Sequence, residues 1–231
     1  MSPHMPATIP TREKRHFSFV DRVLSEVDHA LKVLTPGAIV RHRTPELSTT
    51  HESNEFSIEQ WSPKERRLIG GLMRINHCGE ICAQALYQGQ AATAKSMGMH
   101  TAMRKAAEEE LDHLYWCDER LQEIQEKPSI FNPIFYGASF MLGAAAGLAG
   151  DRWSLGFVVE TEKQVGIHLE KHLAQLPLSD AKSQRILQCM KIEELQHQQE
   201  AEKLGAASLP PPVKLAMRWM SSVMTTLTYK I

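Results

Sequence analysis

Two short stretches of this chain pair a glutamate with a histidine three residues later: Glu110 with His113 in "EEELDH", and Glu194 with His197 in "EELQH". On a helix, residues i and i+3 share a face, one turn apart. Each pair therefore presents one carboxylate oxygen and one imidazole nitrogen to the same region. A single such pair is common on a wet face, and the runs Glu108–Glu110 and Glu193–Glu194 taken alone read as solvated acid. Two matched pairs in separate segments read differently, as donors that can converge on metal.

Two further segments offer a glutamate each. Glu80 lies in the charge-poor stretch "GLMRINHCGEICAQALYQGQ", flanked by Ile75, Ile81 and Leu86. Burying a carboxylate there costs several kcal/mol unless a cation compensates. Gly79 leaves room beside it. In "GFVVETEKQVGIHLEKHL" both Glu160 and Glu162 qualify, and local periodicity does not separate them. Four carboxylates and two neutral imidazoles balance two divalent cations. An oxygen and nitrogen donor set suits iron or manganese better than zinc- or copper-thiolate chemistry. Glu110 and Glu194 are the natural bridges, with the other two glutamates terminal and one histidine on each metal. Cys78 and Cys82, at i and i+4 around Glu80, read as packing residues beside so many hard donors.

These donors need long helices to hold them. Val20, Val23, Leu24, Val27, Leu31 and Leu34 repeat at the spacing of one apolar helix face, stopped by Pro36-Gly37. Residues 38–61 form one long loop and residues 1–15 a disordered, Pro-rich tail. Ser62-Pro63, with Glu65 three residues after the serine, opens a helix expected to reach Met97 and break at Gly98. A second long helix spans about His100 to Glu126, and another about Ser179 to Leu204.

Residues 128–150 carry no charge, yet Pro133 interrupts them and helical patterning resumes at Asp151. This favours a helix buried in a bundle or lying against a membrane over a spanning one. Gly137, Gly143, Gly147 and Gly150 suit close helix packing. The final segment, "KLAMRWMSSVMTTLTYKI", is amphipathic with basic ends, and reads equally as an interfacial helix or as one docked on the bundle. The expected fold is all-α: a ferritin-like four-helix bundle over 16–231, with an added N-terminal helix and a C-terminal amphipathic helix. A glutamate from each of two helices plus a Glu-x-x-His from each of two others is the ligand pattern of such di-metal bundles.

Composition narrows the function. Net charge is −1, without a basic stripe, so nucleic acid is not expected as a partner. The four cysteines make no CxxC pair and the N-terminus lacks an apolar signal region, which points to a reducing compartment. No GxGxxG dinucleotide fingerprint is present.

The stretches "NHCGEICAQALYQGQ", "EEELDHL", "VVETEKQV" and "EELQHQQEAEKLGA" resemble the demethoxyubiquinone hydroxylases, di-iron monooxygenases of ubiquinone biosynthesis, from about Phe17 to the C-terminus. The resemblance is greatest to bacterial members. It implies two iron ions per chain held by Glu80, Glu110, His113, Glu162, Glu194 and His197. Glu162, not Glu160, is chosen because the family's glutamate precedes a motif histidine, here His168, by six residues. Eukaryotic members follow that histidine with tyrosine, where this chain has Leu169. The resemblance further implies hydroxylation of a polyprenyl methoxybenzoquinol by O₂, in the penultimate step of ubiquinone assembly. It implies peripheral attachment to the cytoplasmic side of the cell inner membrane, as a homo-oligomer or within a ubiquinone-biosynthesis complex. His77, Asp112 and His168 are expected to orient the ligands from outside. A different ferritin-like iron oxidase or peroxide-reducing bundle would share the six donors but need no membrane surface.

Overall fold

The computed structural model describes residues 18–40, 43–45 and 61–231, which form seven helices and no strand. The expected tail and most of the 38–61 loop lie outside the described residues. The helices are α1 (Phe19–Leu34), α2 (Pro63–Thr93), α3 (Met97–Glu123), α4 (Asn132–Ala149), α5 (Asp151–Gln175), α6 (Ala181–Lys203) and α7 (Pro211–Thr228).

The start of α2 follows the sequence signal. The Ser62 hydroxyl accepts from the Glu65 amide, the Glu65 carboxylate accepts in return from Ser62, and Pro63 occupies the first turn. Its end does not. The helix stops at Thr93, and Ser96 caps α3 by accepting from the Met99 amide at 3.1 Å. Gly98 lies inside the first turn of α3. A side-chain acceptor for an orphan amide decides where a helix begins, and a lone glycine need not end one. Between α4 and α5 the chain turns at Gly150, whose φ of +126° glycine adopts without the Cβ penalty.

Helices α2 and α3 form one antiparallel pair and α5 and α6 a second, with α4 in the crossover between them. This is the topology of a bundle with one long connection. α4 lies almost backbone to backbone on α2. A Cβ at Gly89 would sit 2.2 Å from the Phe140 carbonyl oxygen, and one at Gly143 would sit 2.1 Å from that of Leu86. A Cβ at Gly147 would run into the Thr93 side chain, whereas one at Gly137 would meet no atom within 4 Å.

Two apolar clusters fill the bundle. One joins Met73, Trp116, Leu121, Leu169, Leu187 and Met190; the other joins Tyr87, Met103, Ala107, Leu155, Val158 and Ala201. On each of the four central helices the candidate donors fall between the residues of these two clusters. The polar centre is therefore a layer sealed above and below.

All of the apolar stripe of α1 but Leu34 faces outward. Val20, Val23, Leu24, Val27 and Leu31 are each 45–61% exposed, while Val33, Ala30 and Leu34 pack inward. The bundle meets α1 with polar groups instead: His29 lies 3.3 Å from Gln84 and 3.1 Å from Gln88, and Glu26 pairs with Arg104. No described helix is long and apolar enough to cross a membrane. α4 nevertheless exposes Ile134, Met141 and Leu148 along one stripe.

Candidate metal centre

Glu80 projects from α2, Glu110 and His113 from α3, Glu162 from α5, and Glu194 and His197 from α6. The fold brings all six together. Glu80, Glu110, His113 and Glu194 each place a donor atom within 4.8 Å of the others, and so do Glu110, Glu162, Glu194 and His197. The two groups share Glu110 and Glu194. Glu160 stands outside both, accepting from Gln164 at 2.8 Å and facing Lys214 at 3.7 Å.

The polar atoms of this layer face inward without satisfying one another. His113 Nδ1 and His197 Nδ1 each lie 2.7 Å from a Glu110 oxygen. Yet both nitrogens, both Glu110 oxygens and one Glu194 oxygen are buried without a hydrogen bond of acceptable geometry. Five orphaned polar atoms in one layer would be costly for a structure without a cation. They match the arrangement of donors directed at shared ions, and the residues fit a two-metal centre.

Protons reflect the same crowding. Burial pushes the Glu80 and Glu162 carboxyls well above the usual range. Burial and the nearby Glu110 charge move Glu194 up to about 7. Burial also opposes ionisation of Glu110, but His113 and His197 outweigh it and hold this carboxylate at about 2. Burial disfavours the charged forms of His113 and His197, yet their interactions with Glu110 raise both above the ordinary imidazole value. Without metal the cluster shares protons, and an incoming cation must displace them.

The residues expected to orient ligands make contacts of their own. Asp112 accepts from Arg43 Nε at 2.8 Å. Glu193 lies 2.8 Å from His113 Nε2. His77 faces Asp118 at 3.8 Å, and burial pulls its pKa down to about 4. His168 lies 3.1 Å from the Ser221 hydroxyl on α7. Tyr87 donates its phenolic hydrogen to Glu162.

Beside the cluster is a cavity of about 260 Å³, walled by α2, α4, α5 and α7. Glu80 and Gly79 reach it from the metal side, together with Ile75, Leu86, Val165 and Leu169. Ala138, Trp219 and Met220 line it yet are exposed, so its mouth opens between α4 and α7. The few polar groups on the wall include Asn76, Gln164, His168 and Ser221. Asn76 is held by His172 at 2.8 Å. A cavity of about 150 Å³ accepts benzene, so this one has room for a substituted six-membered ring.

Residues 67–228 match the family model of the ubiquinone biosynthesis protein COQ7. The chain belongs to the COQ7 family. Similar proteins include those of Xylella fastidiosa strain 9a5c, 49% identical over 94% of this chain and 97% of the relative, and of Alcanivorax borkumensis, 50% identical over 94% and 99%. A protein of Pseudomonas aeruginosa is 51% identical over 94% and 98%. Each is named 3-demethoxyubiquinol 3-hydroxylase.

Against this COQ7 frame, three contacts of the centre escaped the sequence reading. Tyr87 had a signal, being seven residues from Glu80 and so on the same helix face. Glu193 had a weaker one, as the leading member of its glutamate doublet. Arg43 had none, because its contacts lie 69 to 150 residues away in sequence.

Proposed function

We propose that this chain is a di-iron monooxygenase that hydroxylates a polyprenyl methoxybenzoquinol, demethoxyubiquinol, with O₂ in the penultimate step of ubiquinone biosynthesis. The observation that carries this reading is the junction of two features at Glu80: the six-donor cluster on one side and an apolar, ring-sized cavity on the other. Its class agrees with the name shared by the similar proteins.

Glu80 and His113 would help hold one iron, Glu162 and His197 the other, and Glu110 and Glu194, which belong to both donor groups, would serve both. Bound iron supplies the activation of O₂ that no side chain provides. The protein's own groups do the rest. The two apolar clusters keep bulk water from the polar layer. The cavity walls would hold the ring beside Glu80, and Asn76, Gln164, His168 and Ser221 would offer partners for its oxygens. Tyr87 and Glu193 fix the angles of Glu162 and His113.

A polyprenyl substrate reaches this cavity from a bilayer. The helices that frame the mouth, α4 and α7, also expose Ile134, Met141, Leu215 and Trp219, and α7 carries Lys214 and Arg218. Apolar side chains flanked by bases suit shallow insertion under headgroups. The protein then sits peripherally on the cytoplasmic side of the cell inner membrane, with the mouth toward the lipid.

The decisive test is a quinone profile of cells lacking the protein. Accumulation of the demethoxy intermediate, cured by the wild-type chain and not by Glu110→Ala, is expected. A normal quinone profile would overturn the reading. Flotation with quinone-containing liposomes checks the membrane part, since a soluble iron oxidase would stay in the aqueous fraction.

A further inference from the structure

Residues 109–113, "EELDH", and 193–197, "EELQH", are near copies. In the fold they address each other. The leading glutamate of each faces the outer nitrogen of the opposite helix's histidine: Glu193 Oε2 is 2.8 Å from His113 Nε2, and Glu109 Oε2 is 3.5 Å from His197 Nε2. Each histidine is thus stretched between the donor cluster and a carboxylate from the other pair of helices. An outward hydrogen bond from Nε2 selects the tautomer whose Nδ1 lone pair points inward.

The two halves are not equal. Glu193 is gripped by Arg43, whose two terminal nitrogens lie 3.1 and 3.0 Å from its two oxygens. Arg43 is itself fixed from three sides. Its Nε and backbone amide donate to Asp112 at 2.8 and 3.2 Å. Its carbonyl accepts from Trp116 Nε1 at 2.9 Å, and its guanidinium lies 5.8 Å from the Trp116 ring centre. Glu109 is met on its outer side, among the described residues, by Lys105 at 2.8 Å, one turn away on an exposed face, and its side chain is 36% exposed against 18% for Glu193. A bidentate guanidinium fixes a carboxylate plane, whereas a surface lysine is a rotating point charge that contributes little.

We propose that this clamp makes the two metal positions unequal: the position served by His113 binds its ion more tightly than the one served by His197, and Arg43 is the positioning residue that sets the difference. The proposal rests on the two-metal reading above. Arg43 touches no donor atom of the cluster and acts through Glu193. Outer partners of ligating histidines are worth about 10- to 100-fold in metal affinity, and a partner that cannot rotate delivers more of that than one that can.

The test is an anaerobic titration of the metal-free full chain with ferrous ion, followed by calorimetry and by near-infrared magnetic circular dichroism of the ferrous ligand field. Wild type is expected to load in two resolved steps. Arg43→Ala should weaken the first step about tenfold or more, leave the second unchanged, and so bring the two together. Arg43→Lys keeps the charge without the two-pronged grip and should behave like alanine. Glu193→Gln should weaken the same step, and Arg43→Ala added to it should do nothing further. Glu109→Gln should touch only the second step. An Arg43→Ala protein that keeps the wild-type separation, or that loses affinity additively with Glu193→Gln, overturns the proposal alone. Wild type that takes up no ferrous ion overturns the metal centre and the proposal with it.

Discussion

Tyr87 and Glu162 meet across the gap between α2 and α5, the phenol donating its hydrogen to the carboxylate. Both are buried, and burial together with the Glu162 charge keeps the phenol protonated far above neutrality. Tyr87→Phe preserves the ring that packs against Ala91, Met103 and Val158 and removes only the donor. An abandoned buried acceptor costs about 1–3 kcal/mol. The variant should therefore melt several degrees lower when metal-free and recover much of the difference when loaded, since a cation supplies what the phenol gave. Paired melting curves with and without ferrous ion check this; an equal deficit in both forms would place Tyr87 in packing alone.

Gly79 borders the cavity, and a Cβ there would meet no atom within 4 Å. On the proposed reading, the room expected beside the metal would serve the substrate ring. Gly79→Ala should fold well, gaining about 0.5–1 kcal/mol from reduced backbone freedom in a helix. Gly79→Leu should keep the metal centre and fill the cavity beside Glu80. Its KM for a short-chain quinol should rise about tenfold, equivalent to about 1.4 kcal/mol of lost binding, with iron content unchanged. Steady-state kinetics beside iron analysis would decide; normal KM in the leucine variant would move the ring elsewhere.

The choice between Glu160 and Glu162 can be tested directly. Glu162 shares a donor layer with Glu110, Glu194 and His197, whereas Glu160 faces Gln164 and Lys214. Glu162→Ala should bind less than two ferrous ions and lose hydroxylation. Glu160→Ala should load normally and retain most activity. Equal losses in both would leave the assignment without support.

Much of this centre was legible because its determinants are local. The i, i+3 pairs at 110/113 and 194/197 fix a helix face whatever surrounds them, and an apolar setting marks Glu80 as unusual. Where local rules met tertiary ones, the outcome changed. The stripe on α1 has the periodicity of a core face, but the bundle offers it Gln84, Gln88 and Arg104, so His29 and Glu26 turn inward instead. Asp112 is one residue from His113 yet on another face, so it meets Arg43 while the carboxylate that reaches the imidazole comes from α6. Spacing along one helix cannot reveal a partner contributed by another.

The protons held by the metal-free cluster set a pH dependence of metal uptake. Glu80, Glu162 and Glu194 have folded-state values above the usual 4.5, with Glu194 at about 7, and His113 and His197 stand above 6.5. Groups raised on folding stabilise the metal-free protein below their unfolded values and lose that contribution as pH climbs through the folded ones. Metal requires the deprotonated ligands, so its binding gains as the same protons leave. His77 and His172, lowered to about 4 by burial, act oppositely, favouring the folded state as pH rises toward 6.5, but they face Asp118 and Asn76 and should contribute alike with or without metal. The difference in melting temperature between loaded and metal-free protein should therefore widen steadily from about pH 5 to pH 7.5. Melting curves with manganous ion, which avoids oxidation in air, measure it. A difference that stays flat across this range would mean that the cluster holds no displaceable protons.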